Sequence, residues 1–506
     1  MDNQKGDTPA QKITESGIFI RDIIWVAIAQ VLTLFVVGIA ALPALTKHYG
    51  PEIYGIWVQI SVTVTLLSPF IAMELDMSVI RFLAGEEDKV KRRKSLGSML
   101  ISIIIFSIMV FLLINIIAPQ LSGLLFADPK YVTFIRLTFI WVITDALYIF
   151  FSSYFRARKK IRFLSIRQVS YGIAFMLIII IMSSMGIKLE WLVGCIIVMQ
   201  SVFVLLFFFL IVKEIGYPIP NINGIQEYLA FSLPQIPGVA LIWVIGSSDR
   251  YFITHFLDLS QAGIYSSSSQ IAVLTRLFYS PISYVLYPTL SRLWDENRFS
   301  EVRSYLQHSI RLLLTLGIPA SIGIAMLSQP ILKILTTTEF LAGRELVFFI
   351  ALGTVFMGIY QINSQVILLK KQTRLLPLII GAASVTSMIL NIVLIPNIGI
   401  SGASIAYLAS CFLLAVIASF IARRSTNYSY DGIFQLKITV ASLPMAIYLF
   451  LIKVDKLWEI ILAAAAGAVI FVSGVLLLRA FPEKEKQLVK NIILNLLPTS
   501  MKKKNN

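Results

Sequence analysis

Histidine and cysteine are nearly missing from this chain, with three and two residues among 506. His48, His255 and His308 lie far apart and share no ligand spacing, so no metal site is expected. Cys195 and Cys411 both fall in apolar segments, which excludes a disulfide framework. Charge is sparse too: 14% of residues are Asp, Glu, Lys or Arg, against roughly 25% in soluble domains. The chain has no Walker loop, nucleophile elbow or HExxH zinc motif. The short connections on one side of the hydrophobic pattern leave no room for a catalytic domain. They also lack the acidic residues with which a membrane glycosyltransferase would hold a metal and nucleotide. Neither an enzyme nor a cofactor is expected. The N-terminus reads MDNQKGDTPAQKITES, a polar tail rather than a cleavable signal peptide.

What is abundant is apolar sequence: 57% of residues are hydrophobic and the mean hydropathy is +0.83. A membrane helix needs about 20 apolar residues, and such runs recur from end to end, without the short alternating segments of a strand barrel. Hydropathy marks about fourteen spans. The expected ranges are 22–46, 53–83, 96–118, 131–155, 163–185 and 191–212 in the first half. They continue at 228–256, 262–290, 305–327, 346–369, 375–395, 402–422, 433–452 and 457–478. The net charge of +16 would suit a nucleic-acid partner, but its distribution points elsewhere. Alternate connections are basic, as in EEDKVKRRK (86–94), RARKKIR (156–162), KKQTR (370–374) and the Arg423-Arg424 pair. The intervening ones, such as KHYGPE (47–52) and PNIGIS (396–401), carry few charges. The positive-inside rule then places the basic set, and both termini, in the cytoplasm. The fold class expected is an all-α polytopic protein of the cell membrane.

The break KEIGYPIPNINGIQE (213–227) is rich in Pro, Gly and Asn and reads as a linker. It divides the first twelve spans into two lobes of six helices, at 21–213 and 228–424, around a central cavity. Residues 1–20 form the N-terminal tail, 214–227 the linker and 425–480 a C-terminal helix pair. In the tail 481–506, a basic start and a short apolar stretch read as an interfacial helix. A faint repeat relates the lobes. YGPEIYGIW (49–57) and DLSQAGIYS (258–266) each place Gly-Ile-aromatic at the mouth of the second helix of its lobe, as parallel repeats would.

Charges inside spans are the candidates for function. A lone Arg at a helix centre costs about 2.5 to 3.5 kcal/mol, so it should face protein or water. Asp249 and Arg250 are adjacent in the seventh span; on a continuous helix neighbours point about 100° apart, so each is expected to need a separate partner. A straight helix from Tyr228 would carry Arg250 about 33 Å along its axis, into the outer half of the bilayer. Arg250, Arg276 and Arg81 are the candidate substrate-binding residues. Asp249, Asp145, Glu74 and Asp76 are the candidates for gating or ion coupling. Pro234, Pro237, Pro281 and Pro288 lie in the same spans and would bend them.

LTKHYGPEIYGIW, SSDRYFITHFLDLSQAGIYS and LNIVLIPNIGISGASIAYLAS, taken in order, resemble the polysaccharide-biosynthesis family of oligosaccharide flippases. That family sits within the multidrug/oligosaccharidyl-lipid/polysaccharide exporter superfamily. IRFLAGEED (80–88) and SSYFRARKK (152–160) are similar to the family's basic inner ends. The resemblance implies two six-helix bundles in a V that alternate between inward- and outward-open states. It implies a polyprenyl phosphate or pyrophosphate sugar as cargo, moved to the outer leaflet for cell-surface glycan biosynthesis. It further implies a groove for the lipid tail at the last helix pair, as in lipid II flippases. Glycosyltransferases or a polymerase of the same pathway would be partners, beside the membrane lipids. A cation-coupled multidrug exporter of the same superfamily, or a non-transporting scaffold of a glycan-assembly complex, remain alternatives.

Overall fold

The computed structural model describes residues 31–33, 38–221, 224–428 and 431–479. The expected N-terminal tail, most of the first span and the C-terminal interfacial helix lie outside them. Among the described residues, twelve helices are long and apolar enough to cross a membrane. In chain order the helices are α1 (Leu42–Ile71, kinked at the non-helical Gly50), α2 (Leu75–Leu83), α3 (Lys89–Phe126), α4 (Val132–Ala157), α5 (Ile161–Ser184) and α6 (Leu189–Ile215). Then come α7 (Ile225–Ser232), α8 (Ile236–Ser247), α9 (Asp249–Phe256), α10 (Leu259–Ala272), α11 (Ser280–Asp295) and α12 (Phe299–Met326). The last are α13 (Ser328–Leu335), α14 (Leu346–Leu369), α15 (Leu375–Ile398), α16 (Ile400–Thr426), α17 (Gly432–Leu451) and α18 (Leu457–Leu477).

Helix α3 shows how a uniformly apolar run chooses its faces. Leu96, Met99 and Ile103 are fully buried, and the same stripe continues through Ser107, Ile114, Ala118 and Ser122. The opposite face leaves Ile105, Leu112 and Ile116 open. With lipid as solvent no polar face is needed, so small and hydroxyl side chains mark the packed side instead. Asp88 starts the helix by accepting from the Val90 N–H at 2.8 Å.

Three expected spans are broken in the structure. The second, expected continuous over 53–83, stops at Ile71. Met73 and Glu74 are both left-handed, and the Glu74 and Met73 N–H groups donate to the Pro69 and Phe70 carbonyls. That is a Schellman closure without glycine, at about 1–2 kcal/mol for each left-handed residue. In the seventh span, expected as one straight helix, a 3₁₀ turn at Leu233–Gln235 with Pro234 separates α7 from α8, while Ser248 joins α8 to α9 with helical backbone angles. The eighth span passes through a 3₁₀ stretch, Val273–Phe278, before α11 begins with Pro281 in its first turn. The helices on either side of that stretch have 14 and 16 residues, and the eighth span is accordingly not among the twelve.

The chain forms two compact units. The first takes the described residues up to Ile271 together with Leu335–Leu346 and Arg374–Ser410; the second takes Ala272–Ile334, Val347–Thr373 and the described residues from Cys411 onward. In the first, α2, α3, α4 and α6 bury Val79, Met99, Phe150, Tyr154 and Phe207 in one cluster. In the second, α12, α14 and α16 bury Leu306, Leu313, Val355, Ile362 and Ala422. There α17 and α18 pack as a hairpin through Ile438, Ala441 and Met445 against Ala463, Phe471 and Val475.

Candidate functional site

Ser248, whose backbone stays helical, leads directly into the two charges of the seventh span. Ser248 donates to the Val244 carbonyl at 2.6 Å, and Asp249 opens α9 as its first residue. The expectation that Asp249 and Arg250 need separate partners is corrected here. Arg250 Nη1 lies 2.6 Å from Asp249 Oδ1, and the Arg250 backbone N–H donates to the same oxygen at 2.9 Å. Long helical side chains lean toward the N-terminus, so the guanidinium reaches back past its neighbour. There Nη1 also donates to the Gly246 carbonyl at 2.7 Å. Helix α10 completes the pocket. Nη2 donates to Ser269 Oγ at 2.9 Å, the guanidinium stands 5.1 Å from the centre of the Tyr265 ring, and the Tyr265 hydroxyl donates to Asp249 Oδ2. Both ions are withdrawn from solvent, with side chains 12% and 4% exposed. Pairing and hydrogen bonding offset much of that desolvation.

Helix α1 closes against these same pieces. Gln59 Nε2 donates to the Arg250 carbonyl at 3.2 Å and to Thr254 Oγ1. Thr63 and the Tyr251 hydroxyl are 2.6 Å apart, and Trp243 Nε1 donates to the Val62 carbonyl at 3.0 Å. The crossing is made by the two glycines of the Gly-Ile-aromatic repeat. A Cβ on Gly55 would overlap the Leu259 carbonyl, and one on Gly263 would overlap the Pro51 carbonyl. The repeated motif thus pairs with its own copy. Gln59, Tyr251, Tyr265 and Ser269 are site residues that the sequence pattern does not single out; the available signal is Gln59, an amide in an apolar run one turn after Gly55.

The other expected residues do not join this cluster. Arg276 is exposed in the 3₁₀ stretch of the second unit, before the buried Tyr279. Arg81 is exposed on α2 and stacks over Phe231 at 5.5 Å. Asp145, half-buried on α4, accepts from Gln200 Nε2 at 2.7 Å. Glu74 is buried at the left-handed link before α2, and Asp76 is buried 3.9 Å from Arg156 Nη2. Among the described residues no group of His, Cys, Asp and Glu could hold a metal ion.

Two large apolar hollows lie inside the units. The first unit holds one of about 610 Å³ lined by Thr63, Phe70, Phe106, Trp243 and Tyr251, alongside the α1 contact. The second unit holds a groove of about 890 Å³ between α12, α14, α16 and α17. Its walls include Val355, Phe356, Phe412 and Phe420, and Arg423, Arg424, Gln435 and Thr439 also line it.

Comparison with known proteins agrees with this architecture. The chain is 26% identical to the probable low-salt glycan biosynthesis flippase Agl15 of Haloferax volcanii, over 52% of this chain and 56% of that one. The matched segment spans about half the length of that relative. Among solved structures, the lipid II flippase MurJ in an inward closed conformation superposes with a TM-score of 0.76 at 18% identity, covering 91% of this chain and 99% of that one. An inward-facing MATE family multidrug resistance transporter superposes with a TM-score of 0.63 at 11% identity, covering 79% and 94%. The fold is therefore the all-helical one of these membrane transporters. Residues 45–343, more than half of the sequence, match the family model described as polysaccharide biosynthesis protein, and the chain belongs to that family.

Proposed function

We propose that this protein is a flippase that carries a polyprenyl-linked oligosaccharide from the cytoplasmic to the outer leaflet by alternating access, with no chemistry of its own. The observation that carries the reading is Arg250, a largely desolvated cation held beside the α1 contact. Its bonds to Asp249 and Ser269 and its contact with the Tyr265 ring suffice while α1 is closed over it. When α1 withdraws, the guanidinium gains access to an anion, and its planar fork grips phosphate oxygens in pairs. Basic loops and both termini facing the cytoplasm would put the α1 contact on the outer side, as a gate that shuts the cavity outside. The lobes 21–213 and 228–424 would be the parts that rock. Arg276 and Arg81 are further cargo contacts, and the groove ending at Arg423 and Arg424 suits a prenyl tail. Glycosyltransferases or a polymerase of the pathway would supply and consume the cargo.

The test is transport of a short-chain polyprenyl-pyrophosphate sugar in proteoliposomes. Arg250→Ala should abolish it with the protein still inserted, and Arg250→Lys should restore part, since lysine lacks the fork. Full transport by Arg250→Ala would refute the assignment.

A further inference from the structure

At the other end of the first unit, one carboxylate serves too many cations. Glu214, near the end of α6, has Lys160 Nζ at 2.7 Å, Arg92 Nη1 at 3.4 Å and Arg158 Nε at 3.9 Å. One negative charge among three positive ones leaves a net excess of two. Glu86 offers little relief: its side chain pairs with Lys91 at 3.9 Å, and only its backbone carbonyl accepts from Arg158. Arg92 is the costly member. Its side chain is 4% exposed, and its Nε is buried without a hydrogen-bond partner among the described residues. Arg158 and Lys160 are more open, with side chains 20% and 44% exposed, so their charge remains available to an anion that approaches the cluster.

A hollow of about 350 Å³ opens beside this cluster, lined by Phe155, Phe163, Leu210, Lys160, Lys213 and Glu214. Each ring in its wall carries a cation: Lys160 stands 5.7 Å from the Phe155 ring, and Arg167 stands 5.3 Å from the Phe163 ring. Lys213 is exposed at the rim. The site sits where α4 and α6 end and α5 begins, at the boundary between apolar spans and basic loops. Apolar walls under a cationic rim fit an anion that is attached to an aliphatic chain.

We propose that this hollow binds the phosphate of an anionic membrane phospholipid from the leaflet the basic loops face. The headgroup meets Lys160 and Lys213 beside Glu214 and ties the ends of α4, α5 and α6 together. The lipid is a resident one, distinct from the cargo bound through Arg250.

Purified full-length protein is titrated with phosphatidylglycerol, phosphatidylcholine, inorganic phosphate and a polyprenyl phosphate, with retained lipid read by native mass spectrometry and stability by thermal unfolding. Phosphatidylglycerol should be retained and raise the unfolding temperature, while phosphatidylcholine and inorganic phosphate do neither. Lys160→Gln with Lys213→Gln should weaken retention roughly thirtyfold, on the order of fivefold for each lysine beside an anionic headgroup. Lys213→Gln alone, at an exposed position, guards against a folding defect and should show the smaller loss. The same charge change at the exposed Lys370 and Lys371 should leave retention unchanged. Equal retention by the double variant, or equal retention of phosphatidylcholine, would overturn the site. So would polyprenyl phosphate displacing phosphatidylglycerol at lower concentration, which would give the hollow to the cargo.

Discussion

Tyr265→Phe is the smallest change that reaches the gate. It keeps the ring beneath the Arg250 guanidinium and removes only the hydroxyl that donates to Asp249 Oδ2. Asp249 is 3% exposed, so water cannot replace the lost donor while α1 is closed. A hydrogen bond to a charged group contributes about 1.5–3 kcal/mol. Once the contact opens, the carboxylate is hydrated and the hydroxyl contributes nothing, so the whole loss falls on the closed state. At 1.4 kcal/mol for each factor of ten, the open-to-closed ratio should rise roughly tenfold to a hundredfold. Spin labels at the exposed Ile53 and Leu257, on α1 and at the end of α9, report the distance across the contact. Double electron–electron resonance should show a short-distance population that dominates in the parent protein and recedes in the variant. An unchanged distance distribution would refute the reasoning, because it would mean the Tyr265–Asp249 bond does not differ between the two states.

Two other perturbations test neighbouring parts. Gly263→Val places carbon where the Pro51 carbonyl lies; overpacking of this kind costs about 1–3 kcal/mol, so the same labels should report an opened contact in a protein that still inserts, and a closed distance would contradict the crossing. Asp145→Asn retains a partner for Gln200 but removes the ionisable group; if Asp145 couples cation entry to transport, flipping in proteoliposomes should lose its dependence on sodium and pH, and an unchanged dependence would exclude that role.

Most of the membrane helices are legible in the hydropathy pattern alone. Helix α14 occupies the range expected for the tenth span, and α17 and α18 fall within a residue of theirs, because long apolar runs bounded by charge leave little freedom in a bilayer. The breaks are harder to see. VLTRLF is apolar enough to read as helix, yet it is 3₁₀, and only Pro281 hints at the interruption. The stop at Met73–Glu74 uses left-handed residues that are not glycine, so nothing in the composition marks it. The pairing of Asp249 with Arg250 escapes the pattern because the divergence of helical neighbours describes where side chains leave the backbone, whereas the long Arg250 side chain leans back to reach Asp249. The glycine motif is visible as a repeat, but a repeat does not reveal that its copies touch.

In the proposed cycle, α1 must leave α9 for transport to occur. Gln59 and Thr254 face each other across that contact, so cysteines placed at both positions, in a protein with Cys195 and Cys411 replaced, can be joined by a short reducible bis-methanethiosulfonate linker. Proteoliposomes carrying the linked protein should flip no polyprenyl-pyrophosphate sugar and should recover when a reductant cleaves the linker. Undiminished flipping with the linker in place would contradict the gate.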